Sequence, residues 1–531
     1  MSDSISVLVL TLTAGVFAFL IPFASHRTFL LFLSRRRRSE LREPWPEPEL
    51  PRVTVQLPIY NERNVVERLI DAACSLDYPS ELLEVQILDD SDDATSGIAE
   101  ARAAHWRGRG RRVQHLRRTE RRGFKAGALA DGTASARGEF LLVLDADFVP
   151  DPDLIRQLLP PFRDPSVGMV QARWDHLNRD ENWLTDAQSF LLDGHFLYEQ
   201  GGRYLGGRFF NFNGTAGMWR RDCMTEAGGW QADTLTEDLD LSYRAQMAGW
   251  RFVFLDDVAV RAEIPATVGA LEVQQRRWAQ GGVQTARKVL PTLLRGPYPW
   301  WIKLEAVIHL CGHLAHPLTW ALAILLFPSA VARRALGLEH LLWLDLLLFG
   351  AATFPFMVFY WTAARRRGRT RAGLATGVLR TLALGIGLSV PVTRAVVRGL
   401  RGVRDPFVRT PKRGASRGGV YRSASAPLDV AGRLGMVLVM SAYLGAAVLG
   451  GYWAQLPFIL LFWSGYVGLG LHAVSDAIGA LRRLLPRAER IVHEQDQERH
   501  PHDQPGHWGL SPHPGFLVRA QAVVADECEA A

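Results

Sequence analysis

"EFLLVLDADFVPDPDL", residues 139–154, runs an apolar segment straight into two acids. Phe140 to Leu144 read as a buried strand, and Pro150 and Pro152 end it. Asp145 and Asp147 are two residues apart, so on a strand both side chains point to the same side at its carboxyl end. Two like charges held that close repel, and their pKa values split unless a cation lies between them. A hard divalent ion such as Mg²⁺ or Mn²⁺ prefers carboxylate oxygen and shares one or two protein carboxylates with substrate phosphates. Taken alone, the pair reads more readily as solvated turn acids. The surrounding sequence decides.

That segment is the fourth of a series. "VTVQLPIY" (53–60), "EVQILDD" (84–90), "RRVQHL" (111–116) and "EFLLVLDAD" (139–147) are strand-like, with helical stretches such as "NERNVVERLIDAACSL" and "FKAGALADGTASA" between them. Strand-helix alternation at this spacing predicts an α/β domain, a mostly parallel sheet covered by helices on both faces. Ligands bind such sheets outside the carboxyl ends of the strands. No G-x-G-x-x-G follows the first strand, which argues against a dinucleotide site.

Composition adds a second part to the chain. The 531 residues are 48% hydrophobic yet carry 61 Lys+Arg against 54 Asp+Glu. The arginines cluster beside apolar runs, which fits membrane flanks better than nucleic acid. The four cysteines, Cys74, Cys223, Cys311 and Cys528, are scattered without a C-x-x-C pair, so neither a zinc site nor a disulfide framework is indicated. Residues 1–33 read as an anchor followed by Arg35–Arg38, which places its carboxyl side in the cytoplasm. Beyond residue 300, the stretches 304–327, 341–363, 434–450 and 456–472 are long or nearly long enough to span a bilayer. A fifth stretch, 374–397, is interrupted by Arg380, Pro391 and Arg394. Were it a span, the basic loop 398–422 would lie outside, against the positive-inside rule. It reads instead as an interfacial helix on the cytoplasmic face. The expected organisation is an anchor (1–33), an α/β domain (50–295), a transmembrane pair (300–363), an interfacial segment (372–430), a second pair (431–475) and a disordered cytoplasmic tail (485–531). Glu305, His309, His313 and His316 recur at helical spacing, predicting a polar face turned into the bundle interior.

Three motifs join the Asp pair. Asp89 and Asp90 close the second strand in "LDDSDD", and the first strand runs into "PIYNE". In "TLTEDLDLSY", Thr236 is a candidate N-cap, with Glu237 and Asp238 in the first turn of a helix. "QQRRW" places Gln274, Arg277 and Trp278 on one helix ahead of the membrane segment.

In this order and beside membrane segments, the set D, D-x-D, T-E-D, Q-x-x-R-W resembles the family-2 glycosyltransferases of GT-A fold, specifically their processive cellulose-synthase-like and mannan-synthase-like branch. The likeness covers residues 50–415. It implies a Rossmann-like, mostly parallel cytoplasmic domain attached to transmembrane helices in a cell (inner) membrane. It further implies that Pro58, Tyr60, Glu62, Asp89 and Asp90 hold the donor nucleotide, with Lys125 close to the donor. Asp145 and Asp147 would coordinate Mg²⁺ or Mn²⁺ on its diphosphate. Asn213, Gly214 and Thr215 would line the acceptor position. Asp238 would be the general base, in a catalytic motif with Thr236 and Glu237. Gln274 and Arg277 would bind diphosphate, and Trp278 the acceptor sugar. "FVRTPK" (407–412) is similar to the gating loop of processive members, with Phe407, Thr410 and Lys412 as its matching positions.

The chemistry accounts for the residue types. An acceptor hydroxyl attacks only as a carboxylate takes its proton. The departing diphosphate gains charge, which a metal and a guanidinium stabilise. An aromatic face stacks on the apolar side of a pyranose. A single attack inverts the anomeric centre, so an α-linked UDP-glucose or GDP-mannose yields a β-linked glycan. Its expected partners are a nucleotide sugar, a glycan or lipid acceptor and the bilayer, with no nucleic acid. The rival readings are transfer of one sugar to a lipid, as in ceramide-glucosyltransferase-like proteins, and an inactive nucleotide-sugar-binding membrane protein.

Overall fold

Four strands line up as the alternation requires. In the computed structural model, β1 (Val53–Ile59) pairs in parallel with β2 (Leu83–Asp89) and with β4 (Phe140–Val143), and β2 pairs in parallel with β3 (Arg112–Arg117). β5 (Val167–His176) and β7 (Arg251–Ala262) are parallel to each other, while β6 (Gly217–Arg220) runs antiparallel between β4 and β5. The order is β3-β2-β1-β4-β6-β5-β7, the mostly parallel sheet expected. Helices cover both faces, so the central strands are buried along their whole length. Their polar side chains find partners inside the core, Thr54 with Glu84 at 2.8 Å and Gln56 with Gln86 at 3.1 Å. The described residues are 2–36, 43–403, 405–410, 412, 414 and 426–475. Cys528, most of the basic loop beyond residue 414 and the tail 485–531 lie outside them.

The fourth strand is shorter than the sequence suggests. It ends at Val143, where Leu144 makes the last bond to the Gln56 carbonyl at 3.1 Å. A turn follows, closed by Phe148 N–H on the Asp145 carbonyl at 3.0 Å. Aspartate is a poor strand former and a good turn former, which explains the early stop. Asp145 and Asp147 therefore share a side because of this turn, not because of strand alternation.

Among the described residues, five helices are long and apolar enough to cross a membrane: Asp3–Leu33, Gly312–Ala335, Glu339–Arg366, Pro427–Gly450 and Trp453–Ser475. The expected run 304–327 is broken. A helix ends at Leu310, and the apolar stretch starts afresh at Gly312. Glu305 and His309 belong to a polar collar at this junction: Glu305 bonds His26 at 2.8 Å and Arg203 at 2.9 Å, and His309 pairs with the Tyr243 hydroxyl at 2.9 Å. The stretch expected to be interfacial forms two helices, Arg371–Gly387 and Ser389–Leu400, bent by 46°. Both dock on the α/β domain. Gly377 lies against Phe190, and Val392 and Val396 share a core with Leu271 and Val283.

One long helical stretch lies between the sheet and the long apolar helices, as Trp183–Gly194, a π-helical segment His195–Gln200 and Gly201–Leu205. Gly202 lets the Asp3–Leu33 helix approach its backbone, because a Cβ there would fall 2.5 Å from the Leu30 carbonyl oxygen. Gly202→Ala should therefore destabilise the protein by about 1–3 kcal/mol through overpacking. Thermal unfolding in detergent checks this, and an unchanged midpoint would mean that the two helices part at no cost.

Candidate active site

A cleft open to solvent lies beyond the carboxyl ends of β1, β2 and β4. Each wall comes from a different element. Tyr60 and Glu62 follow β1, Asp90 follows β2, and Asp145 and Asp147 stand on the turn after β4. Lys125 comes from the helix Phe124–Ser135, and Asn213 and Gly214 precede β6. Glu237 and Asp238 open the helix Glu237–Met247. Gln274, Arg277 and Trp278 face in from Val268–Arg295, and Phe407, Arg409, Thr410 and Lys412 close the top. The backbone is strained around this cleft. Asn61, Phe124 and Ala216, the non-glycine residues with positive φ among those described, each adjoin a lining or supporting residue.

The carboxylates are matched by cations. Lys125 Nζ donates to Asp145 at 2.5 Å and to the Gly214 carbonyl at 3.0 Å. Lys412 Nζ donates to Asp147 at 2.7 Å, and Arg409 pairs with Glu62. Burial pushes Glu62 up to about 7 against the pull of Arg409, and raises Asp147 in spite of Lys412. Asp238 is lifted to about 7 by burial and by its neighbour Glu237, which together outweigh Lys125. Burial also lowers Arg277, whose guanidinium lies 4.5 Å from the centre of the Phe407 ring. Among the described residues no three His, Cys, Asp or Glu are grouped to hold a metal. Asp145 and Asp147, each already drawing a lysine, fit a divalent ion that takes its other ligands from phosphate.

Comparison with known proteins places this domain. Residues 51–281 match the sequence profile of the family described as Glycosyltransferase like family 2. The domain belongs to that family. The chain is 40% identical over 290 residues to the probable glucomannan 4-beta-mannosyltransferase 3 of Oryza sativa subsp. japonica, covering 53% of each chain. It is also 40% identical over 263 residues to the glucomannan 4-beta-mannosyltransferase 2 of Arabidopsis thaliana, covering 48% of this chain and 49% of that protein. The chain thus spans about half the length of these curated relatives. A solved mannosyltransferase of Pyrobaculum calidifontis, in complex with GDP-Man and Mn²⁺, superposes with a TM-score of 0.50 at 22% identity, over 75% of this chain and 99% of that one. The glycosyltransferase domain accordingly has the GT-A fold.

Most positions singled out in the sequence of this glycosyltransferase domain meet in the cleft, Pro58 among them. Asp89 and Thr215 do not line it. Asp89 is buried behind, where His115 at 2.8 Å and the Ser91 N–H at 2.8 Å overcome burial and hold its carboxyl at about 2. Thr215 Oγ1 accepts the Asp145 N–H at 2.8 Å, so it braces the acidic turn. Asp90 lines the cleft, but the Arg118 guanidinium fork takes both its oxygens, at 2.7 and 2.5 Å. Thr236 precedes the helix without capping it through its side chain, and its hydroxyl meets Thr285 at 3.2 Å.

Among the lining residues that sequence reasoning missed, three make charged contacts. Arg121 stacks 3.4 Å above the centre of the Tyr60 ring, Arg409 holds Glu62, and Glu263 takes Arg68 at 2.8 Å. Arg409 stands inside "FVRTPK", where a cation facing so many acids was a usable signal. Arg121 is one of many arginines and carries no local mark.

Proposed function

We propose that the chain is an inverting membrane glycosyltransferase that moves mannose from GDP-mannose onto a growing β-linked glycan. The observation that carries this reading is the convergence of Asp145, Asp147, Asp238 and Arg277 on one cleft. The choice of donor is supported by the mannosyltransferase relatives, at 38–41% identity over the matched segments. The domain faces the cytoplasm of a cell membrane in this reading, supported by the basic stretches 365–371 and 398–422 beside the apolar helices.

In the reaction, an acceptor hydroxyl attacks the anomeric carbon from the face opposite the diphosphate. Asp238 takes the hydroxyl proton as the new C–O bond forms. The bond from the anomeric carbon to the phosphate oxygen breaks, and its electron pair leaves with the nucleoside diphosphate. Arg277 and Lys125 stabilise the departing charge, worth most in a site sheltered from water. Asp145 and Asp147 would hold a divalent ion that supplies further charge neutralisation to the diphosphate. Trp278 offers a flat apolar face to the acceptor pyranose. Phe407, Arg409 and Lys412 cover the donor side and must give way when donor and metal enter, since Lys412 engages Asp147.

Asp238 must be deprotonated to act, and its folded pKa of about 7 sets the pH window. kcat/KM should fall as pH drops below about 7 and level off above it. The same shift has a stability sign. A carboxyl raised above its unfolded value binds more protons when folded, so it costs stability as pH rises from the unfolded pKa through the folded one. Asp238→Asn should remove both effects, giving a flat, low activity profile and an unchanged or higher thermal midpoint at neutral pH. A wild-type rate constant across this range would refute the base assignment.

A further inference from the structure

The helix Val268–Arg295 carries Gln274, Arg277 and Trp278 into the cleft, and beyond Trp278 it reaches out on two sides with side chains that the mechanism above leaves unused. On one side it holds the start of the helix Glu237–Met247. Gly281 lets the chains approach, since a Cβ there would lie 2.9 Å from the Thr236 backbone nitrogen. Thr285 meets the Thr236 hydroxyl at 3.2 Å, and Lys288 Nζ reaches Asp240 at 3.0 Å and Asp233 at 2.7 Å. The Thr236 carbonyl accepts the Asp240 N–H at 3.1 Å, so what fixes Thr236 also fixes the turn that carries Asp238.

On the other side the same helix holds the end of Ser389–Leu400 and the residues just past it. Arg287 donates to the Gly399 carbonyl at 3.0 Å, and the buried Gln280 donates through Nε2 to the Val403 carbonyl at 3.0 Å. Val403 stands at the root of the segment 405–410, whose Phe407 ring centre lies 4.5 Å from the Arg277 guanidinium. Among these side chains Gln284 touches both sides. Its Oε1 accepts the Leu235 N–H at 2.9 Å, and its Nε2 donates to the Val403 carbonyl at 3.0 Å. A backbone N–H only donates and a carbonyl only accepts, so the Gln284 amide has a single allowed orientation. Leu235 itself lines the cleft, one residue before Thr236.

We propose that Gln284 is a positioning residue that ties Leu235, on the loop leading to the base, to Val403, at the root of the segment covering the donor side, so that the placement of Asp238 follows the seating of that cover. The inference rests on the glycosyltransferase reading above and adds to it a residue outside the motifs of the cleft.

The test uses the full chain in nanodiscs with GDP-mannose, Mn²⁺ and β-1,4-mannotetraose. Gln280→Met removes the other side-chain bond to the Val403 carbonyl and so disturbs the cover side alone. Gln280→Met and Gln284→Met should each lower kcat about fivefold and leave KM for GDP-mannose within about twofold. The double variant should fall no further than Gln284→Met, because the disturbance at Val403 reaches Asp238 only through Gln284. Hydrogen exchange of the stretch 233–240, read without substrate, should rise in Gln280→Met and in the double variant should match Gln284→Met. Losses that multiply in the double variant, a loss confined to KM, or a wild-type kcat in Gln280→Met would overturn the proposal. Gln284→Glu keeps an oxygen for Leu235 but gives up the donor to Val403. It should match Gln284→Met, and it carries the test if that variant does not fold; a wild-type kcat in Gln284→Glu would overturn the tie. A wild-type chain that releases no GDP would refute the glycosyltransferase reading, and the exchange measurement then decides this one alone: faster exchange at 233–240 in Gln280→Met upholds it, and unchanged exchange overturns it.

Discussion

Asp238→Asn should lower kcat by a factor of about 10² or more while nucleotide-sugar binding stays nearly intact. The acid is half-buried, stands in the first turn of its helix and is raised to about 7 by desolvation and Glu237. A group poised near neutral pH is suited to accept a proton there. Asparagine keeps the shape and the hydrogen bond of its Oδ1 with the Leu239 N–H, which lies at 2.8 Å in the native side chain. It cannot take a proton. Single-turnover kinetics with bound donor separate the two quantities. A variant that loses donor affinity along with activity would instead give this acid a structural role.

Asp147→Ala should abolish both transfer and metal-dependent donor binding. A loss of about 10³-fold, ~4 kcal/mol of barrier, is expected. Asp147 is almost wholly enclosed, and Lys412 donates to it at 2.7 Å. Removing the carboxylate leaves Asp145 as the sole acid of the pair and frees a lysine beside it. Isothermal titration of GDP-mannose with and without Mn²⁺ reads the binding arm. Activity within about tenfold of wild type, ~1.4 kcal/mol, would refute the metal assignment.

How much of this was legible before the structure differs from element to element. Strands β1, β2 and β4 follow from apolar runs that end in turn-forming residues, because a central parallel strand is buried on both faces and leaves little choice of residue, whereas β3 is a partly exposed edge strand. β6 is only four residues long and antiparallel, and "GMWR" holds no periodic signal. The acidic turn at Asp145 was legible as a motif but mislaid on the strand, since alternation along a strand and a tight turn both bring residues two apart to one side. Thr236 has the residue type of an N-cap, yet tertiary packing against Thr285 takes its hydroxyl. The break at residue 311 was hidden because hydropathy sums over a window, whereas Glu305 and His309 are satisfied by partners hundreds of positions away in the case of His26. Long-range partners of this kind, Arg27 with Glu199 among them, leave no trace in a local pattern.

The central claim is that this cleft transfers a hexose from a nucleotide sugar to a glycan, and one measurement reaches it directly. Purified protein in nanodiscs is incubated with radiolabelled GDP-mannose or UDP-glucose, with and without Mn²⁺, in the presence of β-1,4-mannotetraose. The account predicts Mn²⁺-dependent release of GDP and incorporation of mannose into a product that an endo-β-1,4-mannanase degrades. Binding of either donor with no release of nucleoside diphosphate would contradict it.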